Sequence, residues 1–301
     1  MKSFLLFIRI KNLLIILASI LLVRFCIIEP ILSFGLAEPS LAYLEFSILT
    51  LSVVLIAAGG NIINDIQDVE CDRINKPDRV FVGNEFSIDR SYTLYQTLTF
   101  IGILGGFYLS FANGIKIAAV VTLLAAALLW IYALYLKKVA VIGNIIIAFL
   151  TALVILVPVI SDYTARQAEP IVQIAGAYAA FAFLLGLVRE IIKDIEDIEG
   201  DEASGLKTFP IVANMIWIRA TLVFLMVLLI AGLVYVFKSQ LDNAEYLPAS
   251  YVGIFLILPS ILILYSGIKA TQKEQFSYIS KMCKALMITG IASILLFYLK
   301  F

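Results

Sequence analysis

The sequence predicts an all-α, polytopic membrane protein with nine transmembrane helices, and three observations support this class. First, 62% of the 301 residues are hydrophobic and 15% are charged, whereas about a quarter of the residues in a soluble domain are charged. Second, the apolar residues are gathered in runs of about 20, the length at which a helix crosses the hydrocarbon layer. Third, these runs are continuous rather than alternating, which excludes a transmembrane β-barrel.

The predicted spans follow one another without a linker rich in Ser, Gly or Pro, so residues 1–301 are expected to form a single domain. Lysine and arginine are concentrated before the first span and after the even-numbered spans. By the positive-inside rule this places the N-terminus and two long polar loops in the cytoplasm. We therefore expect a multi-pass protein of the cytoplasmic membrane. The spans are predicted at residues 12–28, 43–63, 92–112, 116–136, 140–160, 171–192, 213–236, 249–268 and 279–299.

Residue types inside the spans exclude several kinds of site. The chain has no histidine, and its three cysteines show no paired spacing, so neither a zinc site nor a disulfide framework is predicted. Few charged residues lie within the spans; Arg24 is one, and it is expected to pair with Glu29 or to reach the interface. A divalent-cation transporter usually places its acids near the bilayer midplane. The clustered acids of this chain lie at span ends, which argues against transport.

The first acidic segment follows the second span and reads GGNIINDIQDVECDRINKPDRV from residue 59 to residue 80. Asn64, Asp68 and Asp72 recur every four residues, so they are predicted to share one face of a helix that continues span two. Asp65 can join that face. Like charges on one stripe repel each other, and a divalent cation removes the repulsion.

The second acidic segment follows the sixth span and reads REIIKDIEDIEGDEASGLKTFPI from residue 189 to residue 211. Asp194, Asp197 and Asp201 again share one predicted helical face, and Glu190 precedes the first of them by one turn. Either segment alone is also typical of a solvated loop. Two matching segments, each at the end of an even-numbered span, resemble a weak internal duplication and favour a shared site.

Acids and bases together are typical of a Mg²⁺–diphosphate site. Mg²⁺ takes oxygen ligands and is usually held by one or two carboxylates plus substrate phosphates. It neutralises a leaving diphosphate, while an apolar helix bundle keeps water from an allylic cation. Basic side chains beside the acids suit the phosphate oxygens. The predicted diphosphate contacts are Arg73, Lys76, Arg79, Lys137, Lys138 and Lys193.

These motifs resemble those of the UbiA superfamily of intramembrane prenyltransferases. The first reads Asn64-Asp65-x-x-Asp68-x-x-x-Asp72, and a basic segment Arg73-x-Asn75-Lys76-Pro77-x-Arg79 follows it. The resemblance covers essentially the whole chain and implies a UbiA-type bundle of nine helices. The run after Arg79 departs from the family's Pro-x-Pro-Ser-Gly-like pattern. The implied Mg²⁺ ligands are Asn64, Asp68, Asp72, Asp194, Asp197 and Asp201.

The second segment is similar to that of family members that attach a geranylgeranyl chain to geranylgeranylglyceryl phosphate. This implies Mg²⁺-dependent transfer from an allylic prenyl diphosphate to the hydroxyl of a prenylglyceryl phosphate, which forms an ether lipid precursor. The alternative is an aromatic acceptor of the quinone, 4-hydroxybenzoate or tetrapyrrole type. Membrane lipids are expected neighbours, and no nucleic-acid partner is expected. Candidate acceptor or cation contacts, several of which are equally typical of interfacial residues, are Arg9, Asn12, Asp65, Tyr132, Tyr135 and Lys207.

Overall fold

The computed structural model describes residues 2–298, apart from the side chains of Lys2 and Arg79. In this part of the chain helices account for nearly all regular structure, and nine of them are long and apolar enough to cross a membrane. The predicted class and number of spans are therefore confirmed. The spanning helices are α1 (Ile10–Phe34), α2 (Tyr43–Gln67), α3 (Ile88–Ala112), α4 (Lys116–Leu134), α5 (Ile142–Ser161), α6 (Glu169–Glu196), α7 (Met215–Asp242), α8 (Tyr246–Lys269) and α9 (Lys273–Tyr298).

Most of these helices extend beyond the predicted spans, because hydropathy marks the stretch in hydrocarbon and not the end of the helix. Two helices also contain a wider π turn, at Val23–Ile28 in α1 and at Val252–Ile257 in α8. A proline follows each turn closely, at Pro30 and Pro259. Proline has no N–H to complete the α-helical ladder, and the helix accommodates the missing bond by widening locally.

Small residues allow α2, α3 and α4 to approach closely. A Cβ atom on Gly102 of α3 would lie 2.8 Å from the backbone oxygen of Ser52 in α2. One on Gly106 would lie 2.9 Å from the backbone oxygen of Ala118 in α4. Membrane helices often pack through such small residues, since van der Waals contact replaces the hydrophobic effect there.

Helix α6 is central in the bundle, because it packs against α5, α7 and α9. Its buried face includes Leu185, Val188 and Ile192, which belong to an apolar core shared with α7, α8 and α9. Helices α2 and α6 run in the same direction and end on the same side of the bundle, which we call the site end. The other side is the opposite end.

A buried polar network ties the opposite end together. Asp162, just after α5, is 0% exposed and receives hydrogen bonds from Arg24 (3.2 Å) and from the backbone amides of Leu41 (2.9 Å) and Ala165 (2.9 Å). The amide and hydroxyl of Ser40 also donate to it. Arg24 pairs with Glu29 at 2.9 Å, which confirms the pairing predicted from the sequence. We call these groups the Asp162 network.

Candidate active site

Each acidic segment is divided between a spanning helix and a short helix. Helix α2 ends before Asp68, and the short helix Val69–Asn75 follows; helix α6 ends before Asp197, and the short helix Ile198–Ala203 follows. Both aspartates take the same backbone conformation, with φ −95° and ψ 3° for Asp68 and φ −101° and ψ 6° for Asp197. The predicted continuous stripes are thus wrong in this detail. The bend turns the last acid of each segment relative to the first.

The two short helices pack against each other and bring the acidic segments together. The Asn75 side chain donates to the backbone oxygen of Asp197 at 2.8 Å and accepts from the amide of Gly200 at 3.0 Å. The thiol of Cys71 donates to Asp201 at 3.1 Å. A Cβ atom on Gly200 would lie 2.7 Å from the Cys71 backbone oxygen, so a side chain here would separate the helices.

A lysine is paired with the middle aspartate of each segment. Lys137, from the loop after α4, contacts Asp68 at 2.5 Å, and Asn64 donates to the same carboxylate at 2.6 Å. Lys76, from the first segment, contacts Asp197 of the second segment at 2.5 Å. Burial alone would lower the pKa of Lys137, but the charge of Asp68 outweighs this effect and raises it. Lys137 is therefore cationic where it meets Asp68.

Three further acids, Asp72, Asp194 and Asp201, have no ion pair in the described part of the chain. Asp194 accepts a hydrogen bond from Asn144 of α5 at 2.8 Å. Burial raises the pKa of Asp72 and of Asp201 above the ordinary value for a carboxyl group. Neighbouring acids add to both shifts. Such carboxylates gain from a nearby cation, which would relieve the repulsion and the loss of hydration.

The residues at the junction fit Mg²⁺. The side-chain oxygen of Asn64 is buried and has no hydrogen-bond partner, so an oxygen ligand beside Asp68 is free to accept a cation. Among the described residues, no three acids or cysteines converge into a complete metal cage. This agrees with the coordination chemistry of Mg²⁺, which relies on a few carboxylates and completes its shell with water and phosphate.

A second set of polar residues lies deeper along α6. Glu190 is buried, at 7% exposure, and pairs with Arg189 at 2.7 Å and with Lys193 at 2.9 Å. On the neighbouring helix α9, Lys284 donates to Asn12 of α1 at 2.7 Å. We call these five residues the Glu190 cluster.

Arg9 and Asp65 form an ion pair of 2.5 Å that joins the start of α1 to α2. Arg9 has a left-handed backbone with φ 55°, a strained conformation for a residue with a side chain. Burial would lower the pKa of Arg9, but the charge of Asp65 and of the first acidic segment raises it. The pair thus lies beside the first acidic segment.

The remaining predicted residues differ in their distance from the site and in their exposure. The ring of Tyr132 lies within electrostatic range of Lys137 and Asp68, close to the site. Tyr135 is 61% exposed, and its ring contacts Trp130 edge-on rather than a residue of the acidic segments. The side chain of Arg79 lies outside the description. Exposed basic residues at the rim are Arg73, Lys138 and Lys207.

Sequence reasoning missed several residues that the structure places at the site. Asn144 is a lone amide in the apolar fifth span, and Lys284 is, with Lys281, one of two cations in the predicted ninth span. Both are therefore unusual enough to be noticed in a sequence. Asn75 lies inside the basic segment, but the sequence did not predict its contacts with the second acidic segment. Nothing in the sequence distinguishes Cys71 from the other cysteines. Arg189 was seen only as the first residue of the second segment.

Known proteins resemble this chain in sequence and in fold. The model of the UbiA prenyltransferase family matches residues 28–282. A digeranylgeranylglyceryl phosphate synthase from Methanosphaera stadtmanae is 33% identical over 249 residues, which cover 81% of this chain and 84% of that protein. A solved structure from work on digeranylgeranylglyceryl phosphate synthase in membranes has a TM-score of 0.69 at 24% identity, covering 100% of this chain and 99% of that chain. A UbiA homolog from Archaeoglobus fulgidus bound to DMAPP and Mg²⁺ has a TM-score of 0.58 at 17% identity, covering 97% and 99%.

Proposed function

The chain belongs to the UbiA prenyltransferase family and is a prenyltransferase, and from this premise we propose that it attaches a prenyl chain to a prenylglyceryl phosphate. The donor is an allylic prenyl diphosphate, with geranylgeranyl diphosphate as the expected case. The bond from its first carbon to the diphosphate breaks and the diphosphate leaves, while the oxygen of the acceptor hydroxyl forms an ether bond to that carbon and releases its proton to solvent. The product is an ether lipid precursor. The relative named for such a synthase supports this choice of acceptor, because it aligns along most of both chains.

The meeting of the two acidic segments, with one lysine on each middle aspartate, is the observation that carries the proposal. Asn64, Asp68 and Asp197 would hold Mg²⁺ together with Asp72, Asp194 and Asp201. When bound, the metal supplies charge neutralisation for the leaving diphosphate. Lys76 and Lys137 have long, flexible stems, so each can contact phosphate oxygens without leaving the site. In this assignment the aspartate of each lysine–aspartate pair binds the metal and the lysine binds the phosphate.

The allylic carbon needs protection from water once its bond to the diphosphate weakens. Apolar helices surround the junction, and the ring of Tyr132 lies near it. We assign Tyr132 as the aromatic group that faces the developing cation, because an aromatic ring stabilises positive charge over its face. The prenyl tail would lie along the apolar helices or extend into lipid.

We also propose that the site faces the cytoplasm in the cell membrane and that the whole chain acts as one catalytic domain. Lysine and arginine concentrate at the site end, as the positive-inside rule requires for a cytoplasmic face. A cysteine-accessibility experiment on intact cells tests this: single cysteines introduced at exposed Lys138 and Arg73 should resist an impermeant thiol reagent until the cells are opened. Labelling in intact cells would reverse the orientation.

The reaction is tested with purified protein, Mg²⁺ and labelled geranylgeranyl diphosphate against a panel of acceptors. The panel contains geranylgeranylglyceryl phosphate, 4-hydroxybenzoate and dihydroxynaphthoate. We expect product only with the glyceryl phosphate, and none after the metal is chelated. Product only with an aromatic acceptor would refute the proposed function. A chelated sample restored with Mg²⁺ is the control for irreversible loss of fold.

A further inference from the structure

We propose that the Glu190 cluster binds the phosphate of the acceptor, apart from the diphosphate of the donor. This inference rests on the proposed function, since it takes the acceptor to be a glyceryl phosphate. The cluster consists of Asn12, Arg189, Glu190, Lys193 and Lys284, drawn from α1, α6 and α9. The chemistry it would recognise is a phosphate monoester on a lipid-like molecule.

The net positive charge of the cluster favours the binding of an anion. It contains three cationic side chains and one carboxylate, so its formal net charge is +2. A phosphate monoester carries about −1.5 to −2 charges near neutral pH. The charges lie beside a buried carboxylate, where the low dielectric makes an excess of one sign unfavourable. A dianionic phosphate would balance the cluster, whereas the single carboxylate of an aromatic acceptor would leave it positive.

Arg189 also has an unpaired donor among the described residues. Its Nε atom is buried and has no hydrogen-bond partner in this part of the chain, while one of its terminal nitrogens is bonded to Glu190. A guanidinium group presents donors in a fixed fork that matches the oxygens of a phosphate. The contact with Glu190 fixes the orientation of the fork, so that the free donor edge is directed away from the carboxylate. Glu190 is therefore a positioning residue.

The three helices that contribute the cluster converge. Helix α6 packs against α9, and α9 contacts α1. Cys283, the neighbour of Lys284, belongs to the same buried apolar core as Val188, the neighbour of Arg189. The two sets of side chains therefore lie on adjoining helices of one core.

The location of the cluster suits an acceptor better than the donor. Glu190 precedes Asp194 by four residues, about 6 Å along the axis of α6. The donor diphosphate has its own lysines, Lys76 and Lys137, at the junction of the acidic segments. In a glyceryl phosphate the free hydroxyl lies one or two carbons from the phosphate-bearing carbon. A phosphate about one helical turn from the acids would therefore bring that hydroxyl next to the allylic carbon.

The test compares geranylgeranylglyceryl phosphate with geranylgeranylglycerol, which lacks the phosphate, as acceptors for the full-length protein. In Lys284→Gln we expect the KM for the phosphorylated acceptor to rise roughly 10- to 100-fold, since a hydrogen bond to a charged group is lost. The KM for the donor and for the phosphate-free acceptor should not change. Lys284→Arg keeps the charge and should recover most of the affinity.

The matched control is Lys281→Gln, which removes the same charge from an exposed position on α9. It should leave both acceptor constants unchanged. If Lys284→Gln does not fold, Lys193→Gln gives the same comparison, since this side chain is 31% exposed. An equal rise in the donor KM, or unchanged discrimination between the two acceptors, would overturn the subsite while leaving the proposed function intact. A wild-type protein that uses only phosphate-free or aromatic acceptors would overturn both.

Discussion

The two ends of the helix bundle both bury carboxylates, but they satisfy them in different ways. At the opposite end, Asp162 is bonded to Arg24 and to backbone amides whose positions are set by the fold. At the site end, Asp68 and Asp197 are held by the tips of lysine side chains, which can move. The difference separates polar groups that stabilise the fold from polar groups that can exchange their partners for a ligand.

Buried atoms without a hydrogen-bond partner in the described part of the chain occur at both ends, and Ser161 Oγ is one at the opposite end. The carboxylate oxygens of Asp162 have several partners, whereas the Asn64 oxygen and the Arg189 Nε atom at the site end have none among the described residues. A buried polar atom without a partner costs about 1–3 kcal/mol. At the site end, a bound ligand can supply the missing partner. The comparison therefore predicts stability effects at one end and activity effects at the other.

The largest effect on folding is expected from Asp162→Ala. The change removes an acid that pairs with Arg24, which is 3% exposed, and leaves several amides unpaired. Breaking a buried pair in this way costs about 3–5 kcal/mol. The midpoint of thermal unfolding in detergent measures the loss. Glu38→Ala, at an exposed position in the loop between α1 and α2, is the control, and wild-type stability in Asp162→Ala would contradict the structural role of the network.

At the site end, Asp197→Asn should lower turnover roughly 100- to 1,000-fold, by analogy with the removal of one group that stabilises transition-state charge. The fold should persist, because Asp197 is 18% exposed and bonded mainly to a movable lysine. Initial rates at saturating substrate, together with the unfolding midpoint, separate the two effects. Glu199→Gln on the same short helix should stay near wild type, since Glu199 is 73% exposed. Near-normal turnover in Asp197→Asn would argue against the two-segment metal site.

A smaller effect is expected from Gly200→Ala, which forces the two short helices apart. Overpacking at such a contact costs about 1–3 kcal/mol. Because the contact also aligns the acidic segments, we expect the Mg²⁺ concentration for half-maximal activity to rise. The matched control is Gly176→Ala in α6, where an added Cβ meets nothing within 4 Å. If the two substitutions behaved alike, the contact between the short helices would not matter for metal binding.

The smallest expected effect is the pH dependence of Mg²⁺ binding. The pKa values of Asp72 and Asp201 are raised by burial, so at a given pH these groups hold a proton more often than ordinary carboxyls. Protons then compete with Mg²⁺, and the half-saturating Mg²⁺ concentration should rise as the pH falls, by at most about tenfold per pH unit for each proton displaced. The same sign makes the metal-free fold relatively more stable as the pH falls towards these raised values. Mg²⁺ titrations at several pH values measure the effect, and a flat dependence would contradict it.

Local patterns in the sequence predicted the membrane-spanning helices and the helical position of the first acidic segment. Apolar runs predicted the nine spans, because a helix must satisfy its own backbone in hydrocarbon. The four-residue spacing of Asn64, Asp68 and Asp72 placed the first acidic segment on a helix. The bend at Asp68 was not predictable, since the residues on both sides of it form helix equally well. The π turns in α1 and α8 were likewise missed, although Pro30 and Pro259 could have indicated them.

Local sequence patterns did not predict the pairings between residues of distant segments. Lys76 was predicted to contact diphosphate, but its partner Asp197, 121 residues later, follows only from the packing of the two short helices. Lys193 is a predicted diphosphate contact, and its pairing with Glu190 was not foreseen from the sequence. By itself, the sequence determined the membrane class, the number of spans and the acids and bases of the site, because hydrophobicity and charge act residue by residue. The tertiary structure alone decided which base meets which acid, because that depends on how the helices approach one another.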